Sequence, residues 1–213
     1  SYELNLDVSV LGYEGASKST YNGVATIMVN ITGPVREIEV HSFMLSINKV
    51  NLLGEWDEHL KPKVLNDEKF EMRKERETIA IKSGKLLLPG EIVALEIHYN
   101  GTARMDGGGF YESWNNRENV TDLPYISLQT HCEPTRARRW FPCFDEPDKK
   151  AEFELIVSHP KETNAYSNTK TVSSSNENGK RVTKFASTVR LPTYLVALAV
   201  TEQPVVELNV NGY

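Results

Sequence analysis

The chain has 213 residues, 39 % hydrophobic and 25 % charged, with a formal net charge of −5. Such a chain can bury a sizeable core without a disulfide framework, and its acidic balance argues against nucleic acid and anionic membrane surfaces as partners. No run approaches the roughly 18 apolar residues of a spanning helix, and no charged n-region followed by an apolar h-region opens the chain. Ser1 and Asn211-Gly212-Tyr213 read as the ends of an excised piece, with any anchor or targeting sequence outside it.

In chain order, the pattern is one of strands. Tyr2–Val10 alternates apolar and polar residues, the mark of a strand with one buried face. Gly12 to Asn22 is turn-rich. Val24–Val29 resumes the strand pattern and Gly33-Pro34 ends it. Ile38–Phe43 and Leu45–Ile47 follow, with His41 expected as a half-buried strand histidine. Asn51 to Lys63 is polar, punctuated by Trp56 and Pro62. The mixed-charge run Asp67 to Glu77 suggests a strand with one solvated face. Thr78–Ile81 is a further strand, Leu86–Glu91 a turn, and Val93–Tyr99 a strand. Gly107-Gly108-Gly109 lacks the strand-before, helix-after context of a phosphate loop. Tyr125–Leu128, Phe153–Val157, Thr163–Asn168 and Arg181–Val189 are strands. Ser173–Gly179 reads as a polar hairpin tip. The apolar run Leu191–Val200 suits a last strand covered on both faces. No amphipathic helix of useful length and no internal repeat is present.

Between Leu128 and Phe153 the alternation stops. Thr130-His131-Cys132-Glu133-Pro134-Thr135-Arg136-Ala137-Arg138-Arg139-Trp140-Phe141-Pro142-Cys143-Phe144-Asp145-Glu146-Pro147 holds both cysteines and must turn more than once, because Pro142 and Pro147 fix their own φ and extend the residue before. Long specific loops between strands are where sites are built. This segment resembles the signature loop of the aminopeptidase N family, zinc metallopeptidases that remove single N-terminal residues. There a Thr-Gln-x-Glu-[Pro/Ala]-Thr turn runs into Ala-Arg-Arg-x-Phe-Pro-Cys-Phe-Asp-Glu-Pro. The clear departure is His131, where the family usually has Gln. Val40-His41, the turn and strand from Leu86 to Gly101, Gly109-Phe110-Tyr111-x-Ser113 and Leu191–Val200 are similar to other elements of the same first domain. The resemblance implies an all-β fold, a curved, saddle-like antiparallel β-sandwich over residues 1–213, with a zinc catalytic domain following.

The chemistry implied is recognition. A zinc aminopeptidase needs H-E-x-x-H on a helix. The five histidines (His41, His59, His98, His131, His159) contain no such pair, and the G-A-M-E-N motif is absent too. No catalytic residue, metal ligand or cofactor is expected within this chain; zinc belongs to the full-length protein if that is active. A peptide's N-terminal ammonium needs a carboxylate partner. The resemblance assigns that role to Glu133 and the lining of the first side-chain pocket to His131, with the bland alternative that Glu133 pairs with Arg136 or Arg138. Arg138 and Arg139 are expected to bridge to Asp145 or Glu146 within the loop. Cys143 matches a residue that is generally a buried free thiol in the family, and Cys132 has a common counterpart; an oxidising compartment would permit a disulfide.

Asn30-Ile31-Thr32, Asn100-Gly101-Thr102 and Asn119-Val120-Thr121 are acceptor sequons, with Asn100 and Asn119 in apparent loops and Asn30 at a strand end. They favour an extracellular or cell-surface setting over a cytoplasmic one. The partners implied are the chain's own downstream catalytic domain and peptide N-termini. One alternative is the ectodomain of a catalytically inactive relative that binds a cell-surface protein. Another is a free-standing immunoglobulin-like module, weakened because Cys132 and Cys143 are too close to staple two sheets.

Overall fold

The computed structural model describes residues 1–10, 19–54, 63–65, 70–115 and 124–203. Within them the strands run β1 (Tyr2–Val10), β2 (Thr20–Asn30), β3 (Val35–His41), β4 (Ser46–Gly54) and β5 (Lys63–Val64). Next come β6 (Phe70–Arg73), β7 (Thr78–Leu87), β8 (Ile92–Thr102), β9 (Gly109–Asn115) and β10 (Tyr125–His131). The last five are β11 (Phe153–Pro160), β12 (Asn164–Ser167), β13 (Thr171–Glu177), β14 (Lys180–Phe185) and β15 (Leu198–Thr201). They form an eight-stranded sheet in the order β13-β14-β11-β1-β2-β8-β4-β5, a four-stranded sheet β12-β15-β10-β9 and a three-stranded sheet β3-β7-β6. The fold is all-β and sandwich-like, with one hydrophobic core drawn from all three sheets.

The period-2 pattern explains the large sheet. Tyr2, Ile27, Leu95 and Leu52 lie side by side across β1, β2, β8 and β4, and Leu4, Ala25, Ile97 and Val50 form the next row, all buried. The opposite face carries Asn5, Asp7, Asn22, His98 and Asn100. One pairing is parallel: β1 runs beside β11 with Tyr2 opposite Phe153 and Leu6 opposite Val157. A parallel pair cannot be closed by a hairpin. Here the connection contains β2 to β10 and the 130–147 loop.

Two glycines let this sheet carry large rings. Tyr21 pairs with Gly101 and Tyr99 with Gly23. A Cβ at Gly101 would stand 2.1 Å from the Tyr21 ring, and one at Gly23 2.2 Å from the Tyr99 ring. From these tyrosines an aromatic chain crosses the core: Tyr21 meets Phe110 (5.1 Å), Phe110 meets Trp140 (5.9 Å), Trp140 meets Phe141 (4.7 Å), and Phe141 meets Tyr2 and Phe153 (6.1 and 6.2 Å). The loop thus feeds its own aromatic residues into the core.

The loop's far end is tied to the small sheet. His41 and Cys143 exchange backbone hydrogen bonds (2.8 and 3.0 Å), and Phe43 N–H donates to Arg138 O (2.9 Å). The Asp145 amide donates to His41 Nδ1 (3.2 Å), with the Glu146 carboxylate 3.9 Å from the same nitrogen. His41 is therefore the half-buried strand histidine expected. Burial, then the neighbouring Arg138 guanidinium, pulls its pKa below the ordinary 6.5.

Three expectations change. The Ser173–Gly179 tip is a strand, β13, exposed along its length; the turn is Asn178-Gly179 alone, both at positive φ (50° and 79°). That Asn-Gly pair was the stronger hairpin signal. The apolar run Leu191–Val200 is broken by Pro192 and a 3-10 turn at Thr193–Leu195, so only Leu198–Thr201 is strand. In the Asp67–Glu77 run, Phe70–Arg73 is strand, Lys74–Arg76 a 3-10 turn and Glu77 left-handed (φ 56°), while Asp67 to Lys69 lie outside the described residues, as do Trp56 and Pro62.

Two outcomes follow. Gly101→Ala should lower stability by about 3 kcal/mol, because the buried Tyr21 ring has nowhere to go; urea unfolding checks it. A histidine with a lowered folded-state pKa contributes stability that is present above its unfolded value and lost as pH falls below it. Wild-type stability should therefore decline below pH 6.5 more steeply than that of His41→Gln, measured by denaturant unfolding at successive pH values.

Candidate functional site

The loop leaves β10 at His131 and turns at once. Arg136 N–H donates to Cys132 O (2.8 Å), and a 3-10 turn, Ala137–Arg139, follows; the Glu133-Pro134 peptide is cis. Cys132 and Ala137 point into the core, whereas His131, Glu133, Pro134 and Thr135 are exposed. Beyond the tip, Trp140, Phe141 and Cys143 are fully buried. The tip is thus held at both ends by buried residues, Cys132 directly before it and Ala137, Trp140 and Phe141 after it.

Charge pairing inside the loop is selective. Arg138 Nε donates to Asp145 Oδ2 (2.8 Å) and its Nη1 to Glu77 (3.1 Å), so the expected bridge is present for Arg138. Arg139 departs from expectation. Its guanidinium lies 3.8 Å from Asp106 and over the Phe43 ring (5.5 Å), because the 3-10 turn points consecutive residues in different directions. Among the described residues neither an ion pair nor a hydrogen bond engages the Glu133 carboxylate, so the bridge from Glu133 to Arg136 or Arg138 is not formed.

The glycine run 107–109 supplies a platform beside the tip. Gly109 pairs with His131, and Gly107 and Gly109 sit at positive φ (71° and 74°). His131 Nδ1 is 3.0 Å from the Gly107 carbonyl. A carbonyl only accepts, so Nδ1 carries the proton and the neutral ring keeps its lone pair on Nε2. The Arg136 side chain lies against Gly108, where an added Cβ would come within 2.8 Å of Nη1. Asp106 accepts from Arg104 Nε (2.8 Å) and from Gly108 N–H (3.3 Å), and Arg104 holds its carboxyl down at about 2. Arg104 and Asp106 also line a cavity of about 380 Å³ with Met44, Met105 and Arg139, which His131 and Arg136 do not reach. Arg104 and Asp106 were not singled out from the sequence, and Arg136 only as a possible partner of Glu133. The signal was the Gly-Gly-Gly run itself, which marks close backbone approach when it opens a strand.

The remaining candidates sort by burial. Cys132 and Cys143 are free and buried; burial pushes the Cys132 thiol up to about 12 and raises Cys143 as well, which makes both poor nucleophiles. His159 is enclosed between Thr163 and Thr183 (2.7 and 2.9 Å), and His98 meets Glu96 (2.9 Å) on the open sheet face. Among the described residues no group of three or more His, Cys, Asp or Glu could hold a metal ion. Asn30 ends β2 and is exposed, as expected. Asn100 does not lie in a loop: it is an exposed residue within β8 and accepts from Asn48, because the following Gly101 serves the Tyr21 ring rather than a turn. It borders a groove with Asn5, Asp7, Asn22 and His98 that no loop residue lines. Asn119 and His59 lie outside the described residues.

Residues 1–195 match the Peptidase M1 N-terminal domain family. Aminopeptidase Q of Mus musculus is 32 % identical over 193 residues, covering 86 % of this chain and 34 % of its own length. Glutamyl aminopeptidase of Homo sapiens is 31 % identical over 189 residues, covering 86 % of this chain and 19 % of its own. Aminopeptidase 2, mitochondrial, of Saccharomyces cerevisiae is 40 % identical over 114 residues, 53 % of this chain and 12 % of its own length. The chain spans about a third or less of these relatives. With every strand but β15 and the whole 130–147 loop inside the matched region, the chain belongs to the Peptidase M1 N-terminal domain family of aminopeptidases.

Proposed function

We propose that this chain is the substrate-recognition and capping domain of a zinc-dependent aminopeptidase. Glu133 takes the N-terminal ammonium of a peptide, and His131 lines the pocket for the first side chain. The observation that carries the reading is an exposed carboxylate, unneutralised among the described residues, at the tip of a loop whose base is buried. A carboxylate carried on backbone pinned at both ends is available to a ligand and gives it a charge-assisted hydrogen bond.

This chain supplies no catalytic group in the proposal. Its described residues do not fit zinc, and the metal belongs to the part of the protein that the relatives' greater length represents. Residues 1–213 act as one N-terminal domain ahead of it. Glycans at Asn30, Asn100 and Asn119 accompany an extracellular or cell-surface location. No helix among the described residues is long and apolar enough to cross a membrane.

The test uses the full-length protein and a panel of aminoacyl-coumarin substrates, with and without a zinc chelator. Chelator-sensitive release of the fluorophore is expected. Glu133→Ala should raise KM about 10- to 100-fold with kcat less affected, the loss of one charge-assisted contact. No turnover from folded protein would sink the peptidase reading and favour the inactive relative that binds a protein partner.

A further inference from the structure

We infer that Arg136 selects peptides whose first residue is acidic. The inference rests on the aminopeptidase reading and names the substrate class of that same site. Its starting point is a pairing that does not happen. Glu133 and Arg136 carry opposite charges three residues apart in one turn, closed by the Arg136 amide on the Cys132 carbonyl. Yet no ion pair joins them, and no other carboxylate among the described residues reaches Arg136. The side chain is half-buried, so the unpaired guanidinium has given up part of its hydration without a partner in return.

Its direction is fixed by the glycine platform. The guanidinium lies against Gly108, one residue from the carbonyl that anchors His131. His131 and Arg136 therefore converge on the same dipeptide, beside the Glu133 tip. The surroundings strengthen the case. Asp106, two residues before Gly108, is already engaged by Arg104 and Arg139. A chain of net charge −5 thus keeps a local cationic excess at its loop tip. A peptide beginning with Asp or Glu presents an ammonium and a side-chain carboxylate together. Glu133 matches the first, and the planar fork of Arg136 matches the second in a bidentate pair.

The experiment compares glutamyl- and glutaminyl-coumarin amides, nearly isosteric substrates that differ in charge, on the full-length protein. The quantity read is the ratio of their kcat/KM values, which does not depend on the fraction of enzyme folded. Wild-type protein should favour the glutamyl substrate at least about tenfold, and Arg136→Gln should cut the ratio about 10- to 100-fold, the effect of one charge-assisted contact. Arg136→Lys, keeping charge without the fork, should fall between. Gly108→Ala should also lower the ratio, since its Cβ displaces the flexible end of Arg136 rather than backbone. A wild-type ratio at or below one, or a ratio that Arg136→Gln leaves unchanged, overturns the inference. If Glu133→Ala then still weakens both substrates, the recognition reading stands alone. If neither substrate is turned over in a chelator-sensitive way, both readings fall.

Discussion

Asp145 is a carboxylate taken out of water, with 1 % of its side chain exposed, and the loop is tied to the rest of the protein through it. Arg138 Nε and Thr193 Oγ1 donate to it at 2.8 and 2.7 Å. Arg138 continues to Glu77, at the edge of β7, while Thr193 opens the approach to β15. The Asp145 amide reaches His41 at the end of β3, and the amide of Phe144 donates to the Tyr2 hydroxyl of β1 (3.0 Å). Two consecutive loop residues are thus bonded to β1 of the large sheet, to β3 of the small sheet and to the 3-10 turn that leads into β15. Removing one partner of a buried pair of this kind costs about 3–5 kcal/mol, because the other charge is left desolvated.

That constraint has a consequence at the tip. Trp140, Phe141 and Cys143 can be buried only if the chain enters and leaves the core at fixed points, and the ion pair fixes the second of them. The first is fixed by Cys132 and by the strand register of His131 against Gly109. Between these points Glu133, Pro134 and Thr135 remain outside. A tip of three residues between two pinned ends restricts the backbone that carries the carboxylate, which is the preorganisation on which the proposed recognition of an ammonium group relies.

Much of the fold was legible because strand alternation depends on near neighbours. Tyr2–Val8, Val24–Val29 and Phe153–Val157 each place apolar residues two apart, and each lies in a strand with that face buried. Legibility failed where a local rule met a tertiary demand. Asn100-Gly101 has the composition of a turn, yet Gly101 is in mid-strand because the Tyr21 ring needs its missing Cβ. Ser173-Ser174-Ser175 has the composition of a loop, yet β14 offers an edge whose backbone groups pair with any sequence. The parallel pairing of β1 with β11 left no local trace at all, since partners 151 positions apart (Tyr2 and Phe153) are joined only through the core.

Charged residues were the least legible, and the loop arginines show why. Arg138, Arg139 and Arg136 differ little in sequence context. Arg138 neutralises a buried carboxylate, Arg139 shares Asp106 with Arg104 and covers Phe43, and Arg136 rests on a glycine with no counter-charge among the described residues. Composition gives each the same charge; the group opposite decides whether that charge is spent on the fold. A guanidinium paired with Asp145 is unavailable to a ligand, because releasing it would leave the carboxylate desolvated. One held against a backbone with nothing opposite keeps its full electrostatic demand. The same reasoning separates Glu133 from Glu77 and Asp145. At this loop, binding capacity resides in the charges that the fold positions and does not pair.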